Sequence, residues 1–153
     1  MAKNSKIFIV EARFYSEIAD ELAKGAINII KESGLDFERI TVPGVFEIPA
    51  AINFVINAMK KKSTKKNFEG FIALGAVIRG ETDHYDHICR EASRSLMDIS
   101  VQHSVPLGFG ILTCENKEQA NIRADISRGN KGADAAMACL RMMELKKELH
   151  QEE

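Results

Sequence analysis

The chain has 153 residues, of which 28% are charged and 45% hydrophobic, and its formal net charge is −1. This composition predicts a single globular domain over residues 1–153, and so small a net charge gives no overall attraction to nucleic acid or to an anionic membrane. The first apolar run, residues 7–10, is too short for a signal peptide or a membrane span, so we expect a cytoplasmic protein. Three widely spaced cysteines, an odd number, predict free thiols.

The first third of the chain alternates strand-like and helical patterns. Residues 6–10 predict the first strand, and Ser16 is the expected N-cap of a helix that Gly34 ends as its left-handed C′ residue. Residues 37–42 predict the second strand, which Pro43 and Gly44 interrupt. Apolar residues then recur at helical spacing over 49–59.

The remaining chain continues the same alternation. The lysine-rich segment 60–66 predicts a solvated turn, and the apolar run 71–78 predicts a third strand that is buried on both faces. A helix is expected over 83–102 and a fourth strand over 106–113. Asn116 and Gln119 resemble a capping box before a short helix, and the last helix is expected over 131–149. Four such alternations predict a three-layer α/β/α sandwich around a four-stranded parallel sheet.

The residues that follow the strands are the candidates for a binding site, because ligands of open parallel sheets bind outside the carboxyl ends of the strands. Phe14 follows the first strand and Glu47 the second, which suits a flat polar ring stacked on the aromatic side chain and oriented by the carboxylate. Gly80 and Thr82 follow the third strand and open a helix, an arrangement that suits a phosphate group.

His84 lies close in sequence to Arg79 and Thr82, and an imidazole can both give and take protons near neutral pH. A metal site over residues 83–87 is not expected, since no recognised spacing supplies the further ligands. Residues 108–110 lack the third glycine of a dinucleotide fingerprint, and residues 129–132 are too short for a Walker A loop.

Taken together, the ordered motifs of the chain closely resemble the lumazine synthase family of riboflavin biosynthesis. The likeness covers nearly the whole sequence and is carried by five segments in order: Arg13-Phe14, residues 43–49, residues 73–84, residues 109–113 with 118–120, and Arg123 followed by residues 130–132. It implies a transferase that condenses 5-amino-6-(D-ribitylamino)uracil with 3,4-dihydroxy-2-butanone 4-phosphate and needs no cofactor or metal.

The resemblance also implies a role for each matching residue. The uracil ring is expected on Phe14 and the phosphate at Glu81 and Thr82, with Arg123 reaching in from a neighbouring subunit and His84 carrying protons. The remaining expected contacts to the ribitylaminouracil are Val45, Phe46, Glu47, Val77 and Ile78 of one chain and Phe109 and Lys131 of the other. Tyr15 stands where the family often has Asn, and Glu81 places a carboxylate in the phosphate loop.

The family resemblance further implies self-association. Its unit is a homopentamer with sites between adjacent subunits, and some members assemble twelve pentamers into a 60-subunit shell; a functional link to riboflavin synthase is also implied. Few residues precede the first strand, which omits an extra N-terminal segment of many shell formers, whereas the short connection 125–130 lacks the insertion that would block a shell. We expect a free pentamer.

The predicted fold is also compatible with other functions. The predicted sheet, in the flavodoxin-like order 2-1-3-4, would also suit a binding or signalling module. A phosphoacceptor receiver, however, needs an acidic cluster after the first strand and an Asp after the third, where Ala76 stands. A flavin carrier needs a Ser/Thr-rich loop where Phe14 and Tyr15 stand. A flavin- or lumazine-binding assembly protein of the same family with weak catalysis is the remaining alternative.

Overall fold

The computed structural model describes residues 6–150 of the chain. Within this range the elements are β1 (Lys6–Ala12), α1 (Ser16–Glu32), β2 (Asp36–Val42), α2 (Ile48–Lys60), β3 (Phe68–Ile78), α3 (His84–His103), β4 (Leu107–Cys114), α4 (Lys117–Ala124) and α5 (Lys131–Leu149). A 3₁₀ turn, Val45–Glu47, precedes α2. The strands form one parallel sheet in the order β2-β1-β3-β4, so the predicted architecture and strand order are confirmed.

Each face of the sheet is covered by its own helices. Alternate residues of β1 point to opposite faces, so Ile7 and Ile9 join the apolar cluster with α1, α4 and α5. Phe8 and Val10 join the cluster with α2 and α3. β1 and the greater part of β3 are therefore buried on both sides, which explains their nearly unbroken apolar sequence.

Helix α1 begins and ends close to the predicted positions. Ser16 is its first helical residue, and Tyr15 occupies the N-cap position without a side-chain cap bond, so the predicted Ser16 cap is wrong by one residue. Gly34 has a φ of 76° immediately after the C-cap Ser33. This left-handed backbone costs little without a Cβ, and the predicted helix stop is confirmed.

Two other boundaries differ in detail from the sequence prediction. β3 begins at Phe68, because the segment 68–70 already pairs with the start of β1. Before α4, Asn116 Oδ1 accepts the Gln119 backbone N–H at 2.9 Å as expected of an N-cap. The Gln119 side chain returns to the backbone N–H of Glu115 instead of Asn116, so the capping box is shifted by one residue.

Helices α1 and α5 pack closely because Gly132 lacks a side chain. A Cβ at this position would fall on the backbone carbonyl of Leu22 in α1. α5 also packs against β3 and β4. These contacts with α1 and the sheet fix the position of the start of α5, where Lys131 lies.

Candidate functional site

The first cleft lies where the strand order of the sheet reverses. β1 lies between β2 and β3, and the connections after β1 and β3 leave toward opposite faces, which opens a crevice at the carboxyl ends of these strands. The crevice has a volume of about 650 Å³. It is lined by Phe14, Tyr15, Pro43, Gly44, Val45, Phe46, Glu47, Ala76, Val77, Ile78, His84 and Ile88.

Phe14 occupies the turn between β1 and α1, and 78% of it is exposed. Its ring contacts the Tyr15 ring edge to face, with centroids 4.9 Å apart and an interplanar angle of 76°. Tyr15 is itself half-buried against the core. Phe14 thus presents an aromatic face that a planar ligand can cover.

The 3₁₀ turn Val45–Glu47 also lines the first cleft. Val45 is buried and anchors this turn in the core, while Phe46 remains 62% exposed. Gly44, in extended conformation, precedes the turn, and α2 begins directly after it with Pro49 in its first turn. The sequence did not predict this turn. Because the turn has only three residues, Phe46 and Glu47 both lie beside the first cleft.

The carboxyl end of β3 forms the floor of the first cleft. Val77 and Ile78 are half-buried, whereas residues 70–75 are buried, because the strand leaves its covering helices here. The predicted burial of this strand on both faces therefore holds for its first part only. Ile88 also lines the cleft, one helical turn after His84, a spacing that marks a shared helix face.

The start of α3 provides backbone donors beside the cleft. Glu81 and Thr82 are exposed in the loop before the helix, and Thr82 Oγ1 accepts the His84 N–H at 3.3 Å. The N-cap Asp83 makes no side-chain cap bond. The first N–H groups of an α-helix lack intrahelical acceptors and carry a partial positive charge, so this end of α3 can accept an anion.

His84 is the first residue of α3, is exposed, and lines the cleft together with Phe14 and Glu47. The structure thus places the imidazole and the aromatic ring along the same cleft. No other titratable nitrogen lines this cleft within residues 6–150.

Arg79 does not accompany His84 as the sequence suggested. Its guanidinium donates to Glu115 Oε2 at 2.8 Å, lies 3.4 Å from Asp86 Oδ1, and stacks over the Tyr85 ring at 4.3 Å. The hydrogen bond to Glu115 raises the pKa of Arg79 above its ordinary value. Its charge is therefore engaged with α3 and the end of β4, and the cation of an anion site must come from elsewhere.

Phe109, Arg123 and Lys131 line a second cleft of about 500 Å³ along the edge strand β4. Phe109 is 45% exposed. Arg123 Nη1 donates to the Gln119 carbonyl at 3.2 Å, and Lys131 Nζ donates to Asp134 Oδ2 at 3.2 Å. Among residues 6–150 the two clefts share no lining residue, so one chain divides the predicted site residues into two groups.

A further cleft of about 620 Å³, the basal cleft, lies at the amino ends of β3 and β4. Its three lysines already have partners. Lys60 Nζ lies 2.6 Å from His103 Nδ1, Lys146 Nζ donates to the Ser104 carbonyl at 2.7 Å, and Lys147 Nζ lies 3.4 Å from Glu69. This cleft contains none of the predicted site residues.

The thiols lie outside all of these clefts. Cys139 is buried, and burial raises the pKa of its thiol to about 12. Burial also raises the pKa of the Cys89 and Cys114 thiols. All three cysteines are free, as predicted, and a protonated thiol is a poor nucleophile.

Two further properties concern only the described range, residues 6–150. None of its helices is both long and apolar enough to cross a membrane. It contains no group of three or more His, Cys, Asp or Glu side chains that could hold a metal ion together.

The chain is similar to one family over nearly its whole length. Residues 4–147 match the model of the family described as 6,7-dimethyl-8-ribityllumazine synthase. A protein of that name from Agrobacterium fabrum is 50% identical over 143 residues, which cover 94% of this chain and 95% of that protein. One from Paramagnetospirillum magneticum is 45% identical over 145 residues, covering 95% and 97%.

Proposed function

The chain belongs to the 6,7-dimethyl-8-ribityllumazine synthase family, and on this basis we propose that it condenses 5-amino-6-(D-ribitylamino)uracil with 3,4-dihydroxy-2-butanone 4-phosphate. The products are 6,7-dimethyl-8-(D-ribityl)lumazine, phosphate and water, in the penultimate step of riboflavin biosynthesis. The observation that carries this proposal is the first cleft, which combines an exposed aromatic ring, a carboxylate and an imidazole. The relatives are named as synthases, which does not favour a mere binding protein.

In this proposal the first cleft binds the ribitylaminouracil. The pyrimidine ring stacks on Phe14 while the backbone at Val77 and Ile78 binds its edge. Val45 and Phe46 contact the ring and the ribityl chain, and Glu47 accepts hydrogen bonds from the ribityl hydroxyls. An exposed aromatic ring beside a carboxylate suits a flat ring that carries a polyol.

The phosphate of the second substrate binds at the start of α3 beside the first cleft. The backbone N–H groups at Glu81 and Thr82, together with the Thr82 hydroxyl, are the donors. The missing side-chain cap at Asp83 supports an anion at the start of α3, because no N-cap side chain competes for the backbone donors there. The two substrates would then meet beside His84.

The remaining contacts come from a neighbouring copy of the chain. Phe109 covers the pyrimidine from the side opposite Phe14, Arg123 binds the phosphate, and Lys131 contacts the ribitylaminouracil. The division of the site residues between two separate clefts supports this arrangement. We place the single domain of residues 1–153 in a cytoplasmic homopentamer; sedimentation velocity distinguishes it from a 60-subunit shell.

The reaction begins when the arylamine attacks the ketone and an imine forms with loss of water. Phosphate is then eliminated, the resulting enol tautomerises, and ring closure with dehydration gives the lumazine. His84 carries protons to and from these intermediates near the leaving phosphate. Most of the acceleration comes from holding two reactants in contact, since oriented pairs reach effective molarities of about 10⁵–10⁸ M.

The test of the proposed function is to mix the two substrates with the purified protein and follow the fluorescence of the lumazine product. We expect product to form many times faster than in the same mixture without protein. Fluorescence that rises no faster than in the protein-free mixture contradicts the proposal and favours a carrier.

Replacing Arg123 by alanine is expected to raise KM for the butanone phosphate by about 10- to 150-fold, because a charge-assisted hydrogen bond contributes roughly 1.5–3 kcal/mol. KM for the ribitylaminouracil changes much less. The matched control is Arg128→Ala, since Arg128 is exposed and pairs with Asp125 outside both clefts. If steady-state kinetics give Arg123→Ala the wild-type KM for the butanone phosphate, Arg123 does not bind the phosphate.

A site shared between subunits also predicts complementation between two damaged chains. Phe14→Ala damages the first cleft and Arg123→Ala the second, so a mixed assembly contains junctions in which both clefts are intact. At equal amounts, about a quarter of the junctions of a ring are of this kind. Co-expressed variants should exceed the summed activity of the separate ones; simple addition argues that each chain holds a complete site.

A further inference from the structure

Glu11 is a buried carboxylate at the end of β1, and only 1% of the residue is exposed. Its neighbours along the strand, such as Ile9 and Val10, are apolar and fully buried. Removing a carboxylate from water costs several kcal/mol unless its oxygens are paired and hydrogen-bonded. A carboxylate here is costly compared with an apolar side chain, which indicates that it does more than fill the core.

Both oxygens of Glu11 are engaged by arginines. Arg39, on the neighbouring strand β2, donates from Nε to Oε2 at 2.6 Å and from Nη2 to Oε1 at 3.0 Å. Arg13 donates from Nη1 to Oε1 at 2.8 Å. The hydrogen bonds that Arg39 donates to Glu11 raise the pKa of the Arg39 guanidinium above its ordinary value.

Arg13 extends this network into the helix that follows. Its second nitrogen, Nη2, forms an ion pair with Asp20 of α1. Glu11 thus links, through Arg13, the end of β1 to the first turns of α1. The two residues between these anchors that face the first cleft are Phe14 and Tyr15.

Phe14 itself has little packing that could hold its ring in place. It is mostly exposed, and its aromatic contact is with the adjacent Tyr15. The orientation of the ring therefore depends on the backbone of the turn, which Arg13 fixes from one side and α1 from the other. A turn fixed in advance lowers the entropy that the protein loses when a ligand stacks on the ring.

We propose that Glu11 is a positioning residue, which holds Arg13 and thereby orients Phe14 for the ribitylaminouracil. This inference rests on the proposed function. Glu11 does not reach either substrate, because it is buried behind the turn and does not line the first cleft. Its effect is specific for the substrate that stacks on Phe14 and leaves the phosphate site at the start of α3 alone.

The experiment compares Glu11→Gln and Arg13→Gln with the wild-type protein. Glu11→Gln keeps the shape of the side chain but removes its charge, and Arg13→Gln releases the turn while Glu11 stays paired with Arg39. We expect KM for the ribitylaminouracil to rise about 3- to 10-fold in each variant. KM for the butanone phosphate and kcat should stay within about twofold, and calorimetric binding of the ribitylaminouracil alone should weaken by the same factor as its KM.

Two further variants separate positioning from general damage. Arg94→Gln removes another arginine with two ion pairs, on α3 and outside the first cleft, and should change neither KM. In the double variant Glu11→Gln/Arg13→Gln, the two effects should not multiply, because both act through one contact. If Glu11→Gln does not fold, the two KM values of Arg13→Gln test the inference by themselves.

An unchanged KM for the ribitylaminouracil in the variants, or an equal rise for both substrates, overturns the inference while the proposed function stands. A wild-type protein that forms no lumazine contradicts the proposed function instead. In that case unaltered calorimetric binding of the ribitylaminouracil in Arg13→Gln also contradicts the positioning role.

Discussion

Replacing His84 by alanine is expected to lower kcat by about 10²- to 10⁴-fold, the usual contribution of a general acid or base, without abolishing turnover. The residual rate comes from the two clefts, which still hold both substrates in contact. Because His84 is exposed at the edge of the first cleft, free imidazole can reach the space that its side chain leaves. Added imidazole should therefore restore part of the rate in a concentration-dependent way.

The matched control for this prediction is His87→Ala. His87 lies on the same helix, is also exposed, and does not line the first cleft. The His87→Ala variant should have the wild-type kcat, and added imidazole should not change it. A complete loss of turnover in a folded His84→Ala protein would mean that proton transfer, rather than the pairing of reactants, provides most of the acceleration.

Replacing Gly132 by alanine is expected to destabilise the fold by about 2–3 kcal/mol, at the upper end for overpacking, because the added methyl group meets backbone instead of a movable side chain. The Cβ would fall on the Leu22 carbonyl, so α1 and α5 must move apart. The urea midpoint of the loss of helical circular dichroism, at one fixed protein concentration, measures this change.

Gly80→Ala provides the comparison for Gly132→Ala. A Cβ at Gly80 meets no atom within 4 Å, and this glycine has no positive φ. Its substitution should shift the stability by less than about 0.5 kcal/mol. Equal midpoints for the two variants would show that the α1–α5 contact can relax without loss.

Several elements of the fold follow directly from local sequence patterns. The apolar runs of β1 and β3 and the helical repeats of α1, α3 and α5 have the periods that their burial requires. Gly34 ends α1 because a left-handed residue is needed there. The start of β3 was missed because Glu69 and Gly70 interrupt the apolar run, and pairing with β1 overrides that local signal.

The 3₁₀ turn Val45–Glu47 is a different kind of miss. Nothing in the period of so short a segment distinguishes it from a loop. Its conformation depends on Val45, whose side chain packs beside Gly75 of β3 in the core. Tertiary packing thus decided how Phe46 and Glu47 face the first cleft.

By itself, the sequence determined the order of the elements, the sheet, the family and the side chains available for chemistry, because these depend on residue types and their spacing along the chain. Only the tertiary structure decided which of those side chains meet. In the folded chain, Arg79 pairs with Glu115, and Glu11 lies between Arg13 and Arg39. Phe109, Arg123 and Lys131 line a cleft apart from Phe14 and His84. The pairs Arg79–Glu115 and Arg39–Glu11 join residues 36 and 28 positions apart in sequence, and only packing brings them within a few ångströms.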